Sequence, residues 1–419
     1  MSRSAVLRYY VYEATRNAHL SGPIWVVFLL SRGVSYTGVG LLDAVFSVTI
    51  VLAEAPTGYL GDRLGRRRSL LIGTVGASLG SLAFAFGSSL PTFLAAYVLL
   101  AVARTFTSGS DEAWLYDTLR AETDSDQFAR IRGRGKSIGL AVSAVAALAG
   151  GLLGTVNLAW PWLASAATTA LAVPVVATFP EPDPEALDDA DAGSGGDDTA
   201  SDSDDPLGPL AALRIARGRL LAGGLCGFLL LSGVFTAVMG VVGFFVQPVT
   251  RDALAGTTVD SFGLAGVTVG GFTVDGIVAL GVVFAAFRLV AAAVTARTGW
   301  IEERLGAAGW FRLAPTGFGV VLAGVVAVPV AAVPVFFLLR AVRSVTAPLR
   351  GQYVNDRTPS VGRATTLSAV SVFDGVLVAP FELVGGRVAD AIGPLATTSL
   401  LGGLLVSVAL VSPWTYRDD

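Results

Sequence analysis

Residues 58–70 read GYLGDRLGRRRSL, with four arginines and one aspartate packed into Asp62–Arg68 between glycines. The surrounding chain is oily. Of its 419 residues 53% are hydrophobic and 15% charged, against about 25% charged in a soluble domain. The mean hydropathy is +0.66. Apolar stretches of roughly 20 residues, enough to cross about 30 Å of hydrocarbon, recur along nearly the whole length. Lipid offers the backbone no water, so each stretch must be a helix that satisfies its own hydrogen bonds. The pattern is that of a polytopic, all-α membrane protein.

Working outward from the 58–70 stretch, twelve spans are predicted, at about 8–31, 36–60, 69–88, 91–117, 134–155, 158–178, 219–247, 273–296, 313–332, 334–356, 363–386 and 394–412. The first reaches spanning length only if Glu13, Arg16 and His19 lie within its helix. The amino-terminal MSRSAVLRYYVYEATRN has no apolar h-region and no small-residue cleavage site, so the first span is expected to be retained. The single cysteine, Cys226, leaves no internal disulfide to form.

Basic residues set the orientation. With the amino terminus in the cytoplasm, 21 of the 29 fall on cytoplasmic segments, three on outer loops (Arg32, Arg251, Arg387) and five within spans. Both termini are therefore expected inside, in the plasma membrane. Between spans 6 and 7, Glu181–Asp205 carries eleven acids and no base, the composition of a disordered linker. The following PLAALRIARGRLL reads as a short amphipathic segment lying on the membrane surface. The chain divides accordingly into a six-span half over 1–180, a linker over 181–218 and a second six-span half over 219–419.

The two halves repeat one another. Against GYLGDRLG at Gly58 the second half offers GWIEERLG at Gly299, pairing Asp62 with Glu303, Arg63 with Arg304 and Gly65 with Gly306. Against LLAVARTFT at Leu99 it offers LLRAVRSVT at Leu338. That match pairs Arg104 with Arg343 and, continued, Trp114 with Tyr353 and Asp117 with Asp356. Spans 1 and 7 both start inside, so these are parallel repeats related by a pseudo-twofold axis along the membrane normal.

With those residues in place the chain resembles the major facilitator superfamily. Gly58–Leu70 matches its loop 2–3 signature G-x-L-x-D-R-x-G-R-R-x-x-L, GWIEERLG looks like the degenerate loop 8–9 copy, and PEP at Pro180–Pro182 closes span 6 as is usual there. The resemblance covers the full chain and implies a secondary transporter working by alternating access. It implies that Asp62 latches onto the start of span 11, near Arg363, in the outward-facing state. Gly58, Gly61, Gly65, Arg66, Arg67 and Asp117 belong to the same gate region. One departure is LAGGLLG (Leu148–Gly154), which has the glycines but not the proline of the Gly-Pro pair common in drug:proton antiporters.

Charges inside a membrane are expensive and mark function by default. Glu54, about 12 Å deeper than Asp62 along the helix, is a candidate proton carrier that burial would desolvate, and Pro56 is expected to kink its helix. Glu13, Asp374 and Glu382 are rivals. Glu13 and Arg16 stand at i and i+3 and can pair, while Asp43 is expected at the rim. Asp111 corresponds, through the repeat, to Arg350, and the two are candidates for an ion pair across the cytoplasmic mouth. Each pairing within its own half is the alternative. Asn17, Trp25, Arg288 and Asp374 are candidate cavity residues, joined on the substrate or proton pathway by Arg104, Glu112 and Arg343.

The leading function is thus transport of a small organic solute, with proton-coupled export suggested by family prevalence. An uptake symporter or uniporter, and a solute sensor without transport, are the alternatives. No catalytic residues, metal site or cofactor are expected. GKS at Gly135 lacks the earlier glycine of a phosphate-binding loop, that position being Arg130. The two G-x-S-x-G matches, at Gly76 and Gly135, are not on a strand-to-helix turn. A net charge of −3 argues against nucleic acid. A monomer in contact with lipid, solute and protons is expected.

Overall fold

The computed structural model describes residues 3–121, 127–181, 225–254, 268–269, 272–273, 276–358 and 363–412. These are helical almost throughout: α1 (Arg3–Arg16), α2 (Trp25–Ser31), α3 (Tyr36–Leu64), α4 (Arg66–Phe86), α5 (Leu90–Thr107), α6 (Ser110–Ala121), α7 (Phe128–Val156), α8 (Trp160–Ala177), α9 (Leu225–Ala253), α10 (Gly276–Thr295), α11 (Thr298–Gly324), α12 (Ala332–Asp356), α13 (Arg363–Ile392) and α14 (Pro394–Val411). A two-residue antiparallel pair, Thr268–Val269 with Phe272–Thr273, lies between α9 and α10. Among the described residues nine helical runs are long and apolar enough to cross a membrane. The all-α architecture read from hydropathy is the one observed.

Three spans differ from expectation, each for a local reason. Span 1 is two helices, because Pro23 has no N–H to give and disfavours a helical Gly22. Glu13 and Arg16 stay helical on α1 while His19 sits in the break. Span 4 breaks into α5 and α6 at Gly109, whose φ is +77°. Asp111 and Glu112 consequently stand in the first turn of α6, where free N–H groups favour negative charge. Span 9 starts right after Gly306 and ends at Gly324 rather than running over 313–332. The polar start of that helix, around Arg312, had masked it. Pro56 stands inside α3, which remains helical through it.

The repeat is visible in the backbone. Gly65 (φ 87°, ψ 154°) separates α3 from α4, and Gly306 (φ 64°, ψ 170°) breaks α11 at the pseudo-equivalent point. A Cβ would be strained in that region of φ/ψ, so both loop copies need glycine there. The match extends to side chains. The Arg63 guanidinium lies 4.5 Å from the Tyr59 ring centre, and that of Arg304 lies 5.2 Å from Trp300.

Packing groups the helices into two compact units, Met1–Pro23 with Thr49–Asp205, and Ile24–Val48 with Pro206–Asp419. The first is centred on buried Tyr9, Tyr12, Leu70, Trp114, Val176 and Phe179. Trp114 stacks on Phe179 with ring centres 3.8 Å apart and donates its indole N–H to the Pro180 carbonyl at 2.8 Å. The second is built round the deeply buried α9, where Phe228 stacks on Tyr353 at 3.9 Å. The short α2 is seated there by buried Gln247, whose Oε1 accepts the Val26 N–H at 2.8 Å. Residues 24–48, from the first sequence repeat, therefore pack with helices of the second. The acidic linker and the amphipathic segment after it lie outside the described residues, apart from Glu181.

Candidate transport site

In the first unit the charges form one network near the break in span 1. Arg16, the last residue of α1, pairs with Asp111 at the start of α6 and stands 3.8 Å from Glu13. It also contacts the Tyr12 hydroxyl at 3.4 Å. Asn17 donates to Glu13 Oε2 at 3.1 Å. Glu13 and Asp111 are both buried, and Glu13 Oε1 has no hydrogen-bond partner among the described residues. Glu112 points the other way and takes Arg132 at 2.6 Å and Lys136 at 3.7 Å.

The 58–70 loop is tied to the same unit. Arg66 lies 3.8 Å from Asp117 on α6, and Arg67 lies 3.3 Å from Glu181. These arginines therefore do more than bias topology: they fasten the α3–α4 loop to the ends of α6 and α8. A Cβ on Gly61 would meet Ser69 Oγ at 3.1 Å, so that glycine does allow close approach. Gly58 faces open space among the described residues. The side chains of Asp62 and Arg363 lie outside the described residues, and with them the latch contact.

The second unit holds a seam between the first turns of α3 and the last turns of α13. Asp390 caps α3: its carboxylate accepts the Tyr36 N–H at 2.8 Å, the Thr37 N–H at 2.9 Å and the Thr37 hydroxyl at 2.5 Å. The two helices then run so close that neither Gly386 nor Gly40 has room for a side chain. A Cβ at Gly386 would stand 2.3 Å from the Tyr36 carbonyl oxygen, and one at Gly40 would stand 2.1 Å from that of Glu382. One turn further, the Asp43 and Glu382 carboxyl groups face each other, with the Arg343 guanidinium charge beside both. Glu382 is 3% exposed, and its Oε2 has no partner among the described residues. Asp43 is half-buried in this seam.

Two arginine-lined cavities lie in the same unit. One, of about 370 Å³, is lined by Thr236, Arg343, Thr346, Arg350 and Asp374 among others. Arg350 grips Asp374 fork to fork, Nη1 to Oδ2 at 2.5 Å and Nη2 to Oδ1 at 2.6 Å, and gives its Nε–H to Ser232 at 2.9 Å. Asp111 and Arg350 are each engaged inside their own unit, with Arg16 and with Asp374. The second cavity, about 190 Å³, is lined by Phe284, Phe287, Arg288, Ala291, Arg340, Arg343 and Ser344.

The remaining candidates are dispersed. Glu54, Arg104, Glu303 and Arg304 are exposed. Trp25 meets Phe244 edge-on at 6.1 Å. No group of three or more His, Cys, Asp or Glu side chains among the described residues is placed to hold a metal ion.

Against known families, the family model described as Major Facilitator Superfamily matches residues 16–380. The chain belongs to the Major Facilitator Superfamily. It is 24% identical over 157 residues to the uncharacterized MFS-type transporter YxaM of Bacillus subtilis (strain 168), an alignment covering 37% of this chain and 38% of that protein. Its fold is similar to that of the nucleoside transporter NupG (D323A mutant), with TM-score 0.77, 12% identity and coverage of 99% of this chain and 100% of that one. It is also similar to a POT family transporter in complex with 5-aminolevulinic acid (TM-score 0.66, 14% identity, coverage 99% and 96%). A D-xylose-proton symporter shares the fold too (TM-score 0.62, 12% identity, coverage 99% and 98%). Membership of this superfamily makes the chain a multi-pass membrane protein of the transporter class.

Two features of this superfamily member escaped sequence reasoning. Asp390 was unremarked, although an aspartate near the end of span 11 is the pseudo-reversed counterpart of Asp62 near the end of span 2. Arg340 stands with Arg288 and Arg343 around the smaller cavity. The i, i+3 spacing of Arg340 and Arg343 could have flagged a shared face.

Proposed function

We propose that the protein moves a small organic solute across the plasma membrane by alternating access and couples that movement to protons. The Asp43–Glu382 pair carries the proton part of this reading. An ionised carboxylate only accepts hydrogen bonds, so two carboxyl groups set against each other would be best satisfied by sharing a proton. Losing that proton would leave two like charges in contact in a site little exposed to water. Arg343 is the charged group that faces them and would partly offset the repulsion. The pair bridges α3 and α13, so gain or loss of the proton would favour or oppose closure of this seam.

The gate follows from the two aspartates. With both termini cytoplasmic, α3 runs inward and α13 outward. Asp390 near the end of α13 caps the start of α3 on the outer side. By resemblance, Asp62 near the end of α3 caps the start of α13 on the inner side. The two latches are one contact reversed, and alternating access would make one as it breaks the other. Arg350–Asp374 and Arg16–Asp111 would line the inner passage. Export is the direction carried forward from the superfamily; cotransport is the alternative arrangement of the same parts.

The test is flux in proteoliposomes across an imposed pH gradient. The solutes would be nucleosides, sugars, small peptides and small organic acids, the first three being the classes named for proteins of similar fold. Wild-type flux should respond to the gradient, and its sign should separate exchange from cotransport. Glu382→Gln should keep solute exchange at equal pH while losing the response. Flux that ignored the gradient in the wild type would make the protein a uniporter and refute the coupling.

A further inference from the structure

The cavity between α10 and α12 is lined by three guanidinium groups and two aromatic rings, and no carboxylate lines it among the described residues. Among the described residues Arg288 and Arg340 form no ion pair within 4 Å, and Arg343 has only the Asp43 and Glu382 carboxyls beside it, whereas Arg16, Arg66, Arg67, Arg132 and Arg350 all form pairs. Arg340 is held between Phe284 and Phe287, its guanidinium carbon 5.6 and 5.5 Å from the ring centres. Its Nε is buried and has no hydrogen-bond acceptor among the described residues.

Such an arrangement is costly as it stands. Arg288 and Arg343 are exposed and Arg340 is half-buried, so the cost of a partly desolvated, unpartnered charge falls on Arg340, and its two cation–π contacts offset that only in part. Three like charges converging on one small cavity add mutual repulsion. The missing component is negative charge. A carboxylate or phosphate would accept from the guanidinium forks in the bidentate manner that arginine suits, and the rings of Phe284 and Phe287 would cover an apolar body attached to it. We infer that this cavity binds the anionic group of the transported solute, so that the solute is an organic anion with an apolar or aromatic portion. The inference rests on the transport reading above and adds the class of solute to it.

Calorimetric titration of the whole protein in neutral-lipid nanodiscs tests this without measuring transport. Benzoate and phenyl phosphate supply the anion, while benzamide and benzylamine keep the ring and change the charge. Saturable binding of at least one anion is expected, with none of the neutral amide or the cation. Arg288→Gln and Arg340→Gln should each weaken anion binding at least tenfold, about 1.4 kcal/mol. Arg340→Met, which keeps bulk and removes the charge, should abolish binding while raising the melting temperature of the ligand-free protein, a combination a merely structural arginine would not give. Equal affinity for benzoate and benzamide, no binding of either anion, or anion binding unchanged in the Arg288 and Arg340 variants would each overturn the inference. Repeating the titration with phosphatidylglycerol in the nanodisc separates the sources of phosphate. Competition by that lipid, lost in Arg340→Gln, would make the occupant a lipid headgroup and refute the solute reading. Failure of anion binding leaves proton-coupled transport of a neutral solute intact, whereas anion binding without any response of flux to pH would remove the coupling and keep the site.

Discussion

Replacing Asp390 by alanine should loosen the start of α3 and shift the protein away from the state described above. The wild-type carboxylate accepts three hydrogen bonds there, from the Tyr36 and Thr37 N–H groups and the Thr37 hydroxyl, at 2.5–2.9 Å. Both N–H groups belong to the first turn of α3 and have no acceptor within their own helix. Loss of a side-chain cap costs about 0.5–2 kcal/mol, and a charge at a helix start contributes about 0.3–1 kcal/mol. Alanine removes both effects, so about 1–2 kcal/mol is expected. Asparagine keeps acceptor oxygen and loses only charge, so its loss should be below about 1 kcal/mol. At 1.4 kcal/mol per decade, Asp390→Ala should raise the opening equilibrium of this turn roughly 5- to 30-fold. Hydrogen exchange over residues 36–44 in nanodiscs reads this directly. Labelling of a Ser35→Cys probe in a Cys226→Ser background, with a membrane-impermeant maleimide, reads whether the seam opens as a whole. Exchange unchanged within twofold in a folded Asp390→Ala protein would refute the cap. Faster exchange with unchanged labelling would leave a local cap and refute the latch.

Further outcomes follow from the same geometry. Gly306→Ala should cost about 1–2 kcal/mol from its left-handed backbone alone, measured as a lower melting temperature. Gly65→Ala should cost more, because its Cβ would also stand 2.6 Å from Glu181 Oε1 and disturb the Arg67–Glu181 pair. Equal losses in the two would contradict this reading of the loops. Arg16→Met should destabilise more than Asp111→Asn, since it strips the partner from both Asp111 and Glu13, with about 3 kcal/mol or more expected for a broken buried pair. The reverse order in denaturation would make Arg16 a bystander. Gly40→Val cannot fit 2.1 Å from a backbone oxygen, so it should hold the α3–α13 seam apart and increase Ser35→Cys labelling.

Much of the fold was legible because the signals were one-dimensional. Apolar length marks a span whatever its neighbours are, and the charges between spans mark its ends. The Gly65 and Gly306 backbones were foreshadowed by a shared octapeptide pattern, since a glycine-only conformation forces the same residue at both copies. The breaks at residues 17–24 and at Gly109 were harder. Hydropathy averages over about 19 residues and cannot register a single proline or one left-handed glycine, yet the second of these breaks decides that Asp111 begins a helix and meets Arg16. The local i, i+3 contact of Glu13 with Arg16 could be read from spacing. Arg66 with Asp117, or Arg67 with Glu181, could not, because they depend on how α4, α6 and α8 pack.

The acids show where legibility ends. A rule that flags every carboxylate in a span selects Glu13, Glu54, Asp111, Asp374 and Glu382 alike. What distinguishes them is the rotation of each helix about its axis, and a helix with apolar residues on all sides carries little record of that rotation. Glu54 turns out exposed, while Glu382 is buried against Asp43, some 340 positions away in sequence. Asp111 and Asp374 each find an arginine. Glu382 finds another acid. Of these five carboxyls it is the one set against a second carboxyl, and that placement is why the proton part of the proposal rests on it.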